Sequence, residues 1–190
     1  MNSLADAWEW HQATKRSLTR IQRLGERHWD DPSLDGSSLW QDDLFKTLIS
    51  ADIVRDTTAS LALIDDLAVV VLFSVFESIV RDYLVQRIKP EAAALSDPIL
   101  RQAAEDAIRG VEEGSFYLRV LGPLKVQKHV PADLITQVDQ IRDYRNWVAH
   151  GRRETPTNSV TPRMAYDRLG DFLDALDIAV ESEQVEPPHE

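Results

Sequence analysis

The chain has 190 residues, 43% of them hydrophobic, a formal net charge of −11 and no cysteine. That length suits one domain, or one domain with an arm, and the hydrophobic share supports a real core. Without cysteine there is no disulfide framework, no thiolate zinc site and no thiol nucleophile. The acidic balance argues against broad, non-specific grip on nucleic acid, which requires phosphates to be neutralised, and favours either a local basic patch or a basic partner.

Glycine is sparse, at 7 residues, and helical periodicity dominates, so the fold class predicted is all-α: a bundle of about five to six helices. Ser3, with Asp6 three residues on, opens a first helix. Its apolar positions are Leu4, Ala7, Trp8, Leu18, Ile21 and Leu24, and it should end before Asp31–Pro32. Residues 30–37 read as a loop. Residues 38–50 read as a second helix with Leu39, Trp40, Leu44, Leu48 and Ile49 inward.

A third, longer helix is expected over residues 57–88, stopping before Pro90. Its run from Leu67 to Phe73 is flanked by Asp65, Asp66 and Glu77. This reads as a buried central helix rather than a membrane span, since no unbroken stretch of about 18 apolar residues exists. Asp97–Pro98 starts a helix to about residue 113, and Gly114 and Gly122–Pro123 punctuate an irregular stretch. Pro131 opens a helix that ends at Gly151, with Leu134, Ile135, Val138 and Ile141 inward. Thr161–Pro162 starts a last helix, to about residue 181, with Met164, Tyr166, Leu169, Phe172, Leu173 and Leu176 inward. The acidic tail, 183–190, carries Pro187–Pro188 and reads as disordered. The division expected is an N-terminal helical arm (1–50), a helical domain (51–182) and that tail. The polar first 16 residues carry no signal-peptide pattern, and a cytoplasmic location is the simplest expectation.

Residues 142–153, Arg-Asp-Tyr-Arg-Asn-Trp-Val-Ala-His-Gly-Arg-Arg, hold the chemistry. Arg142, Asn146 and His150 share one helical stripe, whereas Arg145 and His150 are about 140° apart on an ideal helix. Histidine can give or take a proton near neutrality. Arginine offers a rigid fork for phosphate oxygens and stabilises developing negative charge, and asparagine can orient either. The set suits cleavage of an RNA phosphodiester by the ribose 2′-hydroxyl. No metal-ligand spacing is present, so no metal or cofactor is expected. The plainer reading also fits the residues: a histidine beside the last carbonyls of a helix, and arginines salt-bridged to Asp139 or Asp143.

Arg145-Asn146-x-x-x-His150-Gly151 resembles the arginine-to-histidine signature of the HEPN superfamily, in the form with a polar residue straight after the arginine. The segment Phe76-Glu77-Ser78-Ile79-Val80-Arg81-Asp82-Tyr83-Leu84 is similar to the "FE…LR" segment of several HEPN families. The resemblance covers roughly residues 57–181. It implies an up-and-down helical core, a homodimer in which two signature helices face each other across a composite cleft, and metal-independent endoribonuclease activity in toxin–antitoxin or antiviral defence, held in check by an antitoxin partner. In those terms Arg145 would stabilise the phosphate, His150 would serve as acid and base, and Asn146 would position one of them. Glu77 would support an arginine, and Arg142, Arg152 and Arg153 would guide RNA. Some HEPN members are non-catalytic RNA-binding or assembly modules, so that alternative stands beside the enzyme.

The remaining candidates read as architecture. His11 and His28 are surface or packing residues, and His129 is a loop residue. Trp8, Trp10, Trp29 and Trp40 are core or dimer anchors rather than base-stacking platforms. Lys125, Lys128, Arg152 and Arg153 form the one noticeable basic concentration.

Overall fold

A computed structural model describes residues 3–29, 47–126, 128, 130–152 and 158–178. Among these, the regular elements are all helical. They are α1 (Leu4–Arg27), α2 (Ser50–Ala94), α3 (Pro98–Glu113), a π-helical turn (Tyr117–Leu121), α4 (Gly122–Val126), α5 (Ala132–Ala149) and α6 (Pro162–Ala175). The expected helix over 38–50 and the acidic tail lie outside the described residues, apart from residues 47–50.

The helix ends follow capping chemistry. Ser3 and Asp6 cap reciprocally: the Asp6 backbone N–H donates to Ser3 Oγ (3.1 Å) and the Ser3 N–H donates to Asp6 Oδ2 (3.3 Å). Asp97 accepts from the N–H groups of Ile99 and Leu100, and Thr161 accepts from Met164. Pro98 and Pro162 occupy first helical positions, where a missing N–H costs nothing.

Four expected boundaries move, the first being the start of α2, at Ser50 instead of residue 57. α2 runs through Pro90 to Ala94 instead of stopping before the proline. A proline removes one backbone donor and disfavours a helix, but Ala92 is buried and Lys89 Nζ reaches Glu112 on α3 at 3.2 Å. Tertiary packing outweighs the local preference here. The stretch expected to be irregular after Gly114 is helical, as the π turn and α4. Pro123 cannot donate to the preceding turn, and the Gly122 N–H instead reaches back five residues to the Tyr117 carbonyl. A Cβ on Gly122 would sit 3.3 Å from that carbonyl oxygen. α6 ends at Ala175, several residues early. Asp177 takes a left-handed φ of 56°, and the N–H groups of Asp177 and Ile178 close onto Asp174 and Leu173.

The chain forms two compact units, residues 1–8 with 68–190, and residues 9–67. This division differs from the expected boundary at residue 50. In the larger unit the core centres on Phe73, Phe76, Phe116 and Phe172, whose ring centroids lie 5.3–5.9 Å apart in tilted or edge-to-face pairs. Leu4, Val69, Leu72, Val80, Val120, Val138, Ile141 and Leu169 are fully buried around them. The ring of Trp8 stacks on Tyr166 at 5.2 Å.

In the smaller unit the imidazole of His11, 2% exposed, donates from Nε2 to Asp65 Oδ1 at 2.8 Å, and Lys15 Nζ donates to both oxygens of the same carboxylate. Burial pushes the Asp65 carboxyl up, but hydrogen bonds and charge from Lys15 and His11 outweigh it and hold it below its ordinary value. Trp29 is buried and donates to the Leu48 carbonyl at 3.1 Å. Ile21 and Leu24, assigned inward from periodicity, are exposed.

α2 contains an 18-residue window of mean hydropathy 2.2, one third of it buried, which is long and apolar enough to cross a membrane by length and composition alone. Counting unbroken apolar runs misses this, because an average tolerates charges that break a run. The buried positions of α2 (Ala68, Val69, Leu72, Phe73, Phe76, Val80) show that a core helix has the same composition.

Candidate functional site

α5 carries the signature and α2 supports it. Arg145, half-buried on α5, donates from Nη1 to Asn146 Oδ1 at 3.0 Å. Its Nη2 lies 3.8 Å from Glu77 Oε2 on α2, and its guanidinium sits 5.7 Å from the Phe73 ring centroid. Glu77 also accepts from Arg81, one turn on, through Nε (3.1 Å) and Nη2 (2.6 Å). Arg81 in turn donates to the carbonyls of Val111 and Gly114 (2.9 Å for Gly114) and lies over Phe116. One carboxylate therefore serves two arginines, and one of those arginines ties α2 to the end of α3.

Arg142 approaches Asp143 (2.8 Å) and Asp139 (3.0 Å) and stacks 4.9 Å from the Tyr117 ring centroid. The contact to Asp139 is an ion pair without hydrogen-bond alignment, and that oxygen is buried without a hydrogen-bond partner. Burial pushes the Asp139 carboxyl above its ordinary value, helped by Asp143 and opposed by Arg142 and Lys125.

These residues surround a cleft of about 440 Å³ whose lining includes Glu77, Arg81, Tyr117, Arg142, Arg145 and Asn146. The Nε atoms of Arg142 and Arg145 are buried and hydrogen-bond to nothing among the described residues. Around the cleft three guanidinium groups meet three carboxylates, those of Glu77, Asp139 and Asp143, so its formal charge is balanced.

His150 is placed differently. It caps the C-terminus of α5, is exposed, and does not line the cleft. Its backbone N–H donates to the Asn146 carbonyl at 2.9 Å. Gly151 follows at φ +79°, and the Arg152 N–H closes onto the Trp147 carbonyl (3.0 Å), which is the glycine-terminated helix end expected here. Arg152 is exposed, at φ 56°, with its guanidinium 5.8 Å from the Trp147 ring centroid. Arg153 and His129 lie outside the described residues.

The structure thus brings together Arg145, Asn146, Arg142 and Glu77, and leaves His150 and Arg152 on the exposed end of the same helix. Arg81 and Tyr117 are cleft residues that the sequence reading did not assign. The spacing of Glu77 and Arg81, i and i+4, was a usable signal for the first. Tyr117 had none, because its segment read as irregular. Among the described residues no group of three or more His, Asp or Glu side chains is arranged to hold a metal ion. Comparison with protein-family models, curated proteins and solved structures returned no match.

Proposed function

We propose that this chain is a HEPN-type, metal-independent endoribonuclease of a toxin–antitoxin or antiviral defence system, acting in the cytoplasm and restrained by a partner protein. In this reading the ribose 2′-hydroxyl attacks the adjacent phosphorus and the 5′-oxygen departs, leaving a 2′,3′-cyclic phosphate. His150 takes the proton from the 2′-hydroxyl and returns one to the leaving oxygen. Arg145 stabilises the charge that builds on the phosphoryl oxygens, and Asn146 holds Arg145. Arg142 and Arg152 guide the strand, with Arg153 beside them in sequence. The observation that carries the reading is the pairing of Arg145 with Asn146 in a cleft, its Nε buried and unpartnered, on the helix that ends at His150. Because His150 is exposed and does not line that cleft, the reading calls for a homodimer in which a second copy supplies the histidine.

A second reading is a non-catalytic module that binds RNA or a partner protein through the same face. Two observations favour it: the cleft's arginines are matched by carboxylates, and His150 is exposed apart from them.

The test compares wild type, Arg145→Ala and His150→Ala on total RNA in excess EDTA, with product ends analysed. Cleavage by wild type alone, leaving cyclic phosphates, supports the enzyme. Folded wild type that binds RNA or a partner without cutting supports the module.

A further inference from the structure

A second cavity lies apart from the arginine cleft. It is a pocket of about 460 Å³ within the larger unit, with Leu84, Ile88, Val120 and Leu124 among its apolar walls and Arg87 and Arg119 at its polar part. Its volume falls in the range of small-molecule sites, which pair an apolar lining with a few polar groups.

The two arginines differ from those of the cleft. Among the described residues neither has a carboxylate within ion-pair distance. Arg87 donates to the Tyr83 hydroxyl (2.6 Å) and lies over that ring at 5.3 Å. The Arg119 side chain runs along the C-terminal turn of α3, its Cγ beside Gly114 and its Cδ, Nε and Cζ beside Gly110. The one acid in the lining is Asp177. The pocket therefore joins an apolar body to an excess of positive charge, the reverse of the chain's overall balance of −11.

We infer that this pocket binds a small amphiphilic acid, with its apolar body against Leu84, Ile88, Val120 and Leu124 and its carboxylate on Arg87 and Arg119. A carboxylate accepts paired donors from a guanidinium fork, so the head is fixed while the body is held by burial. The inference does not depend on the ribonuclease reading, since it uses none of the cleft residues.

Decanoate is a suitable probe, titrated into the full chain by calorimetry, with decanol and acetate as controls. Decanoate should bind saturably, with one site per chain. Arg87→Ala and Arg119→Ala, both at exposed positions, should each weaken it about tenfold, the size of one charge-assisted contact. Ala175→Trp, which places a large ring in the pocket from an exposed helical position, should abolish binding while leaving the helical circular dichroism intact. Acetate should not bind, because it lacks the apolar body. The proposal is overturned if decanoate shows no saturable binding to the folded protein. It is equally overturned if decanol binds as tightly, or if both arginine variants and Ala175→Trp bind like wild type, since that is adsorption to apolar surface elsewhere.

Discussion

Arg145 and Arg119 both line cavities of similar volume, yet they stand in opposite electrostatic settings. Arg145 shares Glu77 with Arg81 and touches Asn146, while neighbouring Arg142 has two aspartates. Arg119 and Arg87 have no carboxylate partner among the described residues and border an apolar floor. The cleft is balanced in charge but not fully hydrogen-bonded: its carboxylates hold the arginines in place, and a ligand there must compete with them. The pocket's arginines make other contacts, but among the described residues no carboxylate neutralises them. A cluster of arginines is therefore weak evidence for anion binding until the carboxylates around it are counted.

The largest expected effect decides whether the cleft works at all. If α5 is catalytic, His150→Ala lowers RNA cleavage by about a hundredfold or more, the scale of a lost acid–base group, and the denaturation midpoint stays within experimental error because the side chain is exposed. Equal loss of stability and activity would make His150 structural instead.

Glu77→Gln sharpens the contrast between the two cavities. It leaves Arg81 and Arg145 half-buried without their carboxylate, and should cost about 2 kcal/mol in urea denaturation, less than for a fully buried pair because both arginines keep some water. Arg119→Ala should stay within about 0.5 kcal/mol of wild type. Equal effects would erase the distinction. Gly151→Ala comes next, at about 1 kcal/mol, since alanine is strained at φ +79° even with open space around it.

The smallest effect lies outside both cavities. The Asp65 carboxyl is held below its ordinary value of 3.8. Its contribution is thus fully present above that value and is lost as pH falls towards the lower folded value. Asp139 has the opposite sign: its raised carboxyl favours folding at low pH and loses that contribution as pH rises through its folded value. Asp65→Asn should lower stability by less than about 1 kcal/mol at pH 7, given its solvent exposure, and should flatten the acid limb of a stability profile measured from pH 6 to 3. An unchanged limb would mean that the His11–Asp65–Lys15 contacts contribute nothing to it.

Fold class and most helix starts were legible because they depend on local chemistry. Ser3 with Asp6, Asp97–Pro98, Pro131 and Thr161–Pro162 each announce a helix within three or four residues. What failed was non-local. Pro90 looked like a stop until α3 was packed beside it. Ile21 and Leu24 had the right period, but among the described residues nothing buries them. In the candidate site, Arg145, Asn146, Arg142 and Glu77 could be named from sequence because spacing groups them on two helices. That His150 does not line the cleft with Arg145 agrees with the roughly 140° expected between them on an ideal helix. The carboxylates Asp139, Asp143 and Glu77 were legible as arginine partners too; what depended on packing was the second cavity, whose walls come from α2, α3, the π turn, α4 and the end of α6.

The π turn carries a consequence for insertions and deletions. Tyr117 lines the cleft, whereas Arg119 and Val120 line the pocket. A π turn holds one residue more than the helix on either side of it, so it acts as a phase adjuster between two surfaces. Removing a single residue from 117–121 would rotate everything downstream on that helical track by about 100°, carrying both cavities out of register at once. This short segment should accept changes of side chain more readily than any change of length.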